Sequence, residues 1–335
     1  MKSQQAVVYG IGNTLVDIIT RVAEEDLMTL GLSKGAMQLI DGSFREKLLR
    51  FIEGKPVTYS CGGSAANTLI ALSQFNVCTI LAGKVGRDTH GNLYHDRLGQ
   101  FNIIDQLRDC NQSTGSSIIL DTPDSERTMN TYLCANREFN ETDVDFDSVR
   151  RADYFYFTGY MWDTDNQKKA IQKVLDYCKT EGTAIVFDVA DPFAVQRYKE
   201  EFLYLIDHYC DVVFANRDES RILLGCDDVV GCCSRLGQLC PTAVVKNGVH
   251  GSVICDKGKI YQIPVAGSIH PVDTTGAGDM YAAGFLLGLC RNCTIEACGN
   301  IASLLAGQII SQTGAQFTEV NLEVAKEKLT ELSLI

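Results

Sequence analysis

Two kinds of apolar segment alternate along most of the chain. Short runs of β-branched and aromatic residues predict buried strands at residues 6–10, 78–82, 154–157, 184–188, 212–215 and 243–246. Longer runs with helical spacing lie between several of them, at residues 65–75, 166–181 and 202–208. Because this alternation is typical of parallel strands covered by helices, the sequence predicts a doubly wound α/β fold with a mostly parallel sheet flanked by helices. We expect residues 1–335 to form one domain.

Two polar stretches interrupt this pattern, at about residues 17–59 and 114–131. Their alternating polar and apolar positions, with a turn signal at Pro123-Asp124, predict half-exposed antiparallel strands. Two such insertions can meet in space as one small sheet. A small β-sheet over the carboxyl ends of the main strands, where open α/β sheets bind ligands, predicts a lid.

Composition and charge narrow the class of protein. The chain has 335 residues with 45% hydrophobic and 21% charged content, which is ordinary for a soluble enzyme with a large core. Its formal net charge of −12 argues against nucleic acid and anionic membranes as partners and favours a small molecule bound in a local pocket. The amino terminus has no signal-peptide pattern, and no apolar run approaches the ~18 residues of a membrane span. The sequence therefore predicts a cytoplasmic protein.

The fourteen cysteines are scattered, mostly within apolar runs where cysteine behaves as a small hydrophobic residue. We expect them to remain thiols in a reducing compartment. Cys290 and Cys293 form the one pair with metal or redox spacing, but no second pair accompanies them. We therefore expect no metal function for this pair.

A turn of small residues, Gly276-Ala277-Gly278, runs directly into an apolar helical stretch at residues 280–289. Such a turn lets backbone N–H groups at a helix start converge on an anion, and the helix dipole assists them. Asp279 follows the turn, and a carboxylate there can be an ordinary helix-start residue. It also repels the anion that the turn attracts, a conflict that makes sense if it accepts a proton from a hydroxyl attacking a phosphate. We favour this catalytic interpretation.

Other nucleotide-binding motifs fail on inspection. The first predicted strand leads into Gly10-Ile11-Gly12, as in a dinucleotide-binding fold, but Leu15 stands where the third glycine belongs. Asp17 also comes too early to bind a ribose as the acidic residue of that motif does. The Walker A pattern does not occur in the sequence. These observations argue against a Rossmann dehydrogenase and a P-loop enzyme.

Polar and glycine residues near two predicted strands are candidates for acceptor binding. Asn13 and Asp17 can be simple turn formers, or they can hold vicinal hydroxyls of a sugar. Gly62 and Gly63 can merely shape the start of the next helix, or they can let a ligand touch the backbone. In the second interpretation Asn67, one turn along that helix, bonds a hydroxyl.

Two further strand ends carry candidates for the nucleotide side. Asn216 and Glu219 form a capped, acidic helix start, or they organise Mg²⁺ through its waters near the nucleotide phosphates. Lys246 and Gly248 follow the next strand and predict a nucleotide-facing loop.

Three motifs together resemble the PfkB family, which includes ribokinase, fructokinase and adenosine kinase: Gly62-Gly63-x-x-x-Asn67, Asn216-x-x-Glu219 and Asp273-Thr274-Thr275-Gly276-Ala277-Gly278-Asp279. The resemblance spans nearly the whole chain. It implies a ribokinase-like fold with a β-sheet lid, and transfer of the γ-phosphate of ATP to a primary hydroxyl. It implies Asp279 as general base, residues 276–278 as anion hole, and Asn216 with Glu219 as the Mg²⁺-organising pair. It also implies nucleotide contacts from Lys246, Gly248, Thr275, Gly276 and Gly278, and a potassium-like ion near Asp273, Thr275 and Gly314.

The acceptor class depends on finer resemblances. The Asn13-x-x-x-Asp17 spacing looks more like that of adenosine kinases than the Asn-x-Asp of ribokinase, and residues 127–133 and 158–163 resemble bacterial adenosine-kinase-like members. Apolar side chains in these stretches and the first insertion can enclose a flat base, or they can be lid and hinge packing; they are Met37, Leu39, Tyr132, Tyr160 and Met161. We favour a nucleoside, with a sugar as the alternative. Lid sheets in this family stand alone or pair between subunits, which leaves a homodimer open.

Overall fold

The computed structural model describes residues 5–35, 37–124, 126–266 and 271–334. The strands within these ranges are β1 (Val7–Ile11), β2 (Leu15–Arg21), β3 (Met37–Leu39), β4 (Thr58–Gly62), β5 (Cys78–Gly86), β6 (Ile104–Cys110), β7 (Gly115–Asp121), β8 (Arg127–Tyr132), β9 (Tyr154–Thr158), β10 (Ala184–Asp188), β11 (Val212–Asn216), β12 (Thr242–Lys246), β13 (Ser252–Asp256) and β14 (Lys259–Ile263). The helices are α1 (Glu24–Leu30), α2 (Gly42–Ile52), α3 (Ser64–Gln74), α4 (Thr89–Gln100), α5 (Phe146–Arg151), α6 (Asp165–Glu181), α7 (Pro192–His208), α8 (Arg217–Leu224), α9 (Val229–Leu239), α10 (Ala277–Cys290), α11 (Ile295–Ile309) and α12 (Glu319–Glu331).

Nine strands form the main sheet, in the order β14-β13-β12-β11-β10-β9-β1-β5-β6. Neighbours from β12 to β6 are parallel, and β13 and β14 add an antiparallel hairpin at one edge. The central strands are apolar on both sides because helices cover both faces and bury two separate cores. This confirms the predicted doubly wound α/β fold with a mostly parallel sheet.

The five strands that lie within residues 15–62 and 115–132 form a second sheet, in the order β3-β8-β7-β2-β4. We call this sheet the lid. The β2–β4 and β7–β8 pairs are antiparallel, but the β2–β7 and β3–β8 pairs are parallel, so the prediction of antiparallel strands is half wrong. The reason lies in the connections. Strands β1 and β6 are parallel in the main sheet. Because β2 follows the carboxyl end of β1 and β7 follows that of β6, β2 and β7 enter the lid in the same direction.

Helices α1 and α2 give the lid its own small core. Ile18 and Val22 near β2 meet Leu27 of α1 and Leu48 of α2, and Ile118 of β7 is buried among them. The lid therefore has an outer face covered by its own helices. Its other face is free to cover the main sheet.

Helix α7 begins ten residues before the predicted start at residue 202. Its first turns expose Phe193 and bury only Ala194 and Val195, so they lack the regular apolar spacing that predicts a helix. The Asp191 carboxylate accepts hydrogen bonds from the N–H groups of Phe193 and Ala194, at 2.7 and 3.0 Å, and Pro192 occupies the first helical position. These are ordinary start signals for a helix.

Cys226 and Cys232 form a disulfide, so the expectation that every cysteine remains a thiol is wrong for this pair. The short connection between α8 and α9 brings their Cα atoms to 6.3 Å, within the usual range for a disulfide. Cys290 and Cys293 are free. In the described ranges, no helix has both the length and the apolar character needed to cross a membrane.

Candidate active site

A cleft of about 730 Å³ lies between the lid and the carboxyl ends of the main strands. Its size suits a ligand of nucleoside or nucleotide dimensions. Many of the predicted site residues line it, namely Asn13, Asp17, Met37, Leu39, Gly63, Asn67, Tyr160, Lys246, Asp273, Thr275, Gly276, Gly278 and Asp279. The remaining predicted residues lie outside the lining of this cleft; they are Gly62, Tyr132, Met161, Asn216, Glu219, Gly248, Ala277 and Gly314.

The turn before α10 has the geometry expected of an anion-binding site. Gly276 has a φ of +78°, in the left-handed region, and α10 starts immediately after it. The first N–H groups of a helix have no partners within the helix, so they are available to a bound anion. The N–H of Ala277 already donates to the carbonyl of Thr274 at 3.2 Å. Gly278, which lines the cleft, is therefore better placed than Ala277 to face a phosphate.

Asp279 stands in the first turn of α10 and is held by two donors from α3. The Ser64 hydroxyl donates to Oδ1 at 2.6 Å, and the Asn67 amide donates to Oδ2 at 2.9 Å. Desolvation in the cleft raises the pKa of Asp279 to about 6, while the bonds from Ser64 and Asn67 oppose that rise. The carboxylate is therefore mostly ionised at neutral pH and still basic enough to accept a proton.

Lys246 and Asp188 form a buried ion pair on the floor of the cleft, with Nζ 3.0 Å from Oδ2. Burial alone would lower the pKa of Lys246, but the charges of Asp188 and Glu219 raise it above its ordinary value. The sequence analysis missed Asp188. It could have been found as the last residue of a buried strand, which ends at the same sheet edge as the strand that carries Lys246.

Gly62 and Gly63 make room for the residues beside them. A Cβ on Gly62 would lie 2.3 Å from Oδ2 of Asp17, and one on Gly63 would lie 2.2 Å from the carbonyl oxygen of Asn13. Gly63 also has a φ of +104°. Both glycines are thus required by protein neighbours, and only Gly63 lines the cleft.

Asp17 is another carboxylate that lines the cleft. Desolvation raises its pKa to about 7; the Arg127 guanidinium lowers it and the Asp279 charge raises it further. A carboxylate that has lost its hydrating water in this way is stabilised when a ligand donates hydrogen bonds to it. Asp17 is therefore suited to accept hydroxyl protons of a sugar ring.

The two predicted asparagines have different surroundings. The side-chain amide of Asn13 donates to the carbonyl of Tyr160 at 3.1 Å and accepts from Gln167 at 2.8 Å, so its orientation is fixed. Asn67 donates to Asp279 and accepts from Gln316 at 3.1 Å. Asn67 thus contacts the carboxylate predicted to be the base, and because it also lines the cleft, its bond to an acceptor hydroxyl stays a prediction.

Apolar side chains of the lid face the cleft, but not all of the predicted ones. Along β8, Met129 and Thr131 point into the cleft, so the alternation of a strand turns Tyr132 to the other side. There the Tyr132 ring lies 5.5 Å below the guanidinium carbon of Arg45. Met161 is buried in the core behind the cleft. Met129 and Leu133, which line the cleft, belong to the stretch 127–133 that the sequence analysis selects, whereas Leu15 and Ile119 are apolar lining residues that it missed.

Arg127 of the lid contacts the segment before the glycine turn. Its guanidinium lies 3.2 Å from a carboxylate oxygen of Asp273 and donates to the hydroxyl of Thr275 at 3.2 Å. Asp273 also accepts from the N–H groups of Thr275 and Gly314, at 2.9 and 2.8 Å. Despite desolvation, these donors lower the pKa of Asp273. A guanidinium thus already supplies positive charge where the resemblance implies a potassium-like ion, so Asp273 does not fit as a cation ligand in this arrangement.

Asn216 and Glu219 form a reciprocal cap at the start of α8. The Asn216 oxygen accepts from the Glu219 N–H, and both Glu219 oxygens accept from Asn216, one from its N–H at 2.7 Å and one from its amide at 2.6 Å. Glu219 is 2% exposed, and this burial raises its pKa to about 7. No group of three or more metal-binding side chains occurs in the part of the chain that the structure describes. Direct coordination of Mg²⁺ by this pair therefore does not fit.

Gly248 lies in a short 3₁₀ helix, Gly248–His250, beyond Lys246. A second cavity of about 610 Å³ adjoins this loop and is lined by Asn247, His250 and Arg217, among others. Neither Asp279 nor the glycine turn at residues 276–278 belongs to its lining. We therefore place the chemistry in the larger cleft.

An anion-binding helix start, a basic carboxylate beside it and a lid above them define a small-molecule kinase. The model of the pfkB family carbohydrate kinases matches residues 35–321, and the chain belongs to this family. Kinases of this family are phosphotransferases that act on hydroxyl groups and use ATP.

Solved structures with similar folds cover almost the whole chain. A probable sugar kinase from Rhizobium etli is 34% identical with a TM-score of 0.90, over 99% of both chains. The adenosine kinase of Sinorhizobium meliloti is also 34% identical, with a TM-score of 0.89 over 97% of this chain and 100% of its own. A nucleoside kinase from Methanothermobacter thermautotrophicus is 28% identical over 76% of this chain and 80% of its own length.

Proposed function

We propose that the protein transfers the γ-phosphate of ATP to the 5′-hydroxyl of a nucleoside, with adenosine as the type of acceptor. The observation that carries this proposal is the apolar slot formed by Met37, Leu39 and Ile119 with Met129 and Leu133. The slot shares the cleft with Asp17 and Asn13. A nucleoside would place its ribose hydroxyls at the polar pair and its base in the slot, whereas a free sugar would leave the slot unfilled.

The acceptor hydroxyl would meet Asp279, which takes up its proton as the oxygen attacks the γ-phosphate. The charge that develops on the transferred group would be stabilised by the N–H groups at the start of α10 and by Lys246. Arg127 reaches the same region from the lid. The attraction between this arginine and a phosphate would hold the lid closed over the cleft and keep water out.

Mg²⁺ would accompany ATP and neutralise its phosphates. Mg²⁺ keeps several waters and is commonly held by substrate phosphates with few carboxylates. This agrees with the described ranges of the chain, where no three or more histidine, cysteine or acidic side chains are placed to hold a metal ion. Asn216 and Glu219 would act on its water shell by fixing the start of α8. We assign no step to a monovalent cation.

A sugar acceptor remains the second candidate, because the probable sugar kinase from Rhizobium etli is as similar to the chain as the adenosine kinase from Sinorhizobium meliloti. The test is competition kinetics with adenosine and ribose on one enzyme preparation. Base contacts should add a few kcal/mol of binding, so adenosine should give the much higher kcat/KM. A higher value for ribose or another free sugar would replace the nucleoside assignment by the sugar kinase.

A further inference from the structure

A chain of hydrogen bonds links the surface of α4 to Asp279. A guanidinium nitrogen of Arg97 donates to Oε1 of Gln316 at 2.9 Å. Nε2 of Gln316 donates to the backbone carbonyl of Cys61 and to Oδ1 of Asn67, the latter at 3.1 Å. Nδ2 of Asn67 then donates to Oδ2 of Asp279 at 2.9 Å.

The ends of this chain fix the direction of every bond in it. A guanidinium can only donate and a backbone carbonyl can only accept. Gln316 must therefore turn its oxygen to Arg97 and its NH₂ group to Cys61. That NH₂ group also faces Asn67, so Asn67 must present its oxygen to Gln316 and its own NH₂ group to Asp279.

We propose that Gln316 and Arg97 are positioning residues, which act through Asn67 to keep a hydrogen-bond donor directed at Asp279. The proposal rests on the assignment of Asp279 as the proton acceptor. A donor held at Oδ2 favours the ionised carboxylate, because a protonated oxygen there would meet another proton. Neither Gln316 nor Arg97 lines the cleft, so their effect would come through the carboxylate rather than through ligand contacts.

Other charged and titratable groups also face Asp279 and set the background against which the chain acts. They are Asp17 of β2, Tyr156 of β9, Tyr160 just after β9, Asp188 of β10 and Lys246 of β12. The uncharged hydroxyl of Ser64 of α3 adds a hydrogen bond. None of them is bonded to Gln316 or Arg97. A substitution at residue 316 therefore changes one influence on Asp279 and leaves these groups in place.

The test is the pH dependence of kcat for Gln316→Met, which keeps the length of the side chain and removes its amide. Asn67 remains but loses the contact that orients it, which should raise the apparent pKa of the acidic limb by up to about one pH unit, because one unit equals the net worth of the hydrogen bond from Asn67 to Asp279. Activity at pH 8–9 should stay within about threefold of the parent enzyme. Gln316→Glu should shift the limb further, since an acceptor there turns the oxygen of Asn67 toward Asp279.

Gln308→Met is the matched control. Gln308 is a buried glutamine in the same part of the fold as the half-buried Gln316, and its side chain bonds Asn321 and Lys328 rather than any member of the hydrogen-bonded series from Arg97 to Asp279. Gln308→Met should leave the apparent pKa of the acidic limb of the kcat profile unchanged, even if it lowers the melting temperature as much as the changes at residue 316. Arg97→Met, at the outer end, should shift the limb in the same direction by a smaller amount.

Titration of the Asp279 carboxyl by infrared difference spectroscopy of the protein without acceptor separates this proposal from the proposed function. The parent and Gln316→Met would each be compared with a matching Asp279→Asn protein. A shifted carboxyl pKa supports the positioning role, even if no nucleoside is phosphorylated. An unchanged carboxyl pKa in both changes at residue 316 and in Arg97→Met would overturn it.

Discussion

On the phosphate side of the cleft, the groups that face the ligand space belong to the main sheet and to α10, whereas most groups on the acceptor side belong to the lid. The phosphate side consists of backbone N–H groups and of charges held in pairs, such as Lys246 with Asp188. The acceptor side combines apolar side chains with a desolvated carboxylate, Asp17. The first side is suited to a charge that every substrate of a kinase shares. The second is suited to the part of the acceptor that differs between substrates.

This difference indicates which residues determine the rate of the reaction and which determine the selectivity for the acceptor. The phosphate side depends on one short segment, since residues 276–279 carry both the anion-binding turn and the carboxylate. The acceptor side is assembled from β2, β3, β7 and β8, each contributing two or three residues to the lining of the cleft. We expect substitutions on the phosphate side to change kcat and those on the acceptor side to change acceptor binding.

The largest effect should come from Asp279→Asn. Removing a positioned proton acceptor should lower turnover by roughly 10²–10⁴-fold, while ATP binding and the fold are retained. Single-turnover phosphoryl transfer measures the loss, and circular dichroism checks the fold. Activity within a few-fold of the parent enzyme would take Asp279 out of the mechanism and remove the contrast between the two sides.

Asp17→Ala should weaken binding of the acceptor and leave the affinity for ATP unchanged. Losing a hydrogen bond from a hydroxyl to a charged group costs about 1.5–3 kcal/mol, or roughly 10- to 150-fold in acceptor Kd. Separate titrations of adenosine and of ATP into the same variant make the comparison. A loss confined to ATP would show that the two sides have been assigned the wrong way round.

The fold and the turn at residues 276–279 could be predicted because their signals are local. Buried strands such as β10 are continuous apolar runs, and a glycine turn before a helix constrains the backbone within a few residues. The acceptor side could be predicted only in part. Tyr132 was selected for its chemistry, but its direction depends on the register of β8 against β7, which fixes that Met129 and Thr131 face the cleft.

Long-range partners were also beyond prediction from the sequence. The amide of Asn67 is predicted to bond an acceptor hydroxyl. In the structure Gln316, which is distant in the sequence, donates to the oxygen of Asn67, so the NH₂ group of Asn67 points to Asp279. Asp273 likewise meets Arg127 from the lid. Neither contact has a local sequence signal, because each joins segments that only the folded topology brings together.

A substitution pair on β8 sharpens the acceptor side further. Met129→Ser removes apolar surface from the slot and should lower kcat/KM for adenosine by about 5- to 30-fold, which corresponds to part of the free energy of burying one side chain. Ribose, which has no base, should be unaffected. Tyr132→Ser, the control on the opposite face of the same strand, should leave the ratio of adenosine to ribose unchanged. Equal effects of the two changes would mean that the slot does not hold the base.

The smallest expected effect is the pH dependence of the free energy of unfolding that the Asp17 carboxyl of the acceptor side causes. Burial raises the pKa of Asp17 from 3.8 to about 7, so the folded protein binds this proton more tightly than the unfolded chain does. The stabilising contribution is fully present below pH 3.8 and is lost as the pH rises through about 7.

Asp17→Asn carries no charge at either pH, and it should therefore raise the melting temperature more at pH 8 than at pH 5. Glu25→Gln, an exposed change on α1, is the control and should show no such difference. Asp279 is present in all three proteins, but its charge interacts with that of Asp17, so the difference for Asp17→Asn includes the relief of this repulsion. An equal rise in melting temperature at both pH values would mean that the ionised Asp17 does not destabilise the ligand-free protein. The acceptor side would then differ from the phosphate side in its apolar side chains, and not in a cost of keeping Asp17 charged.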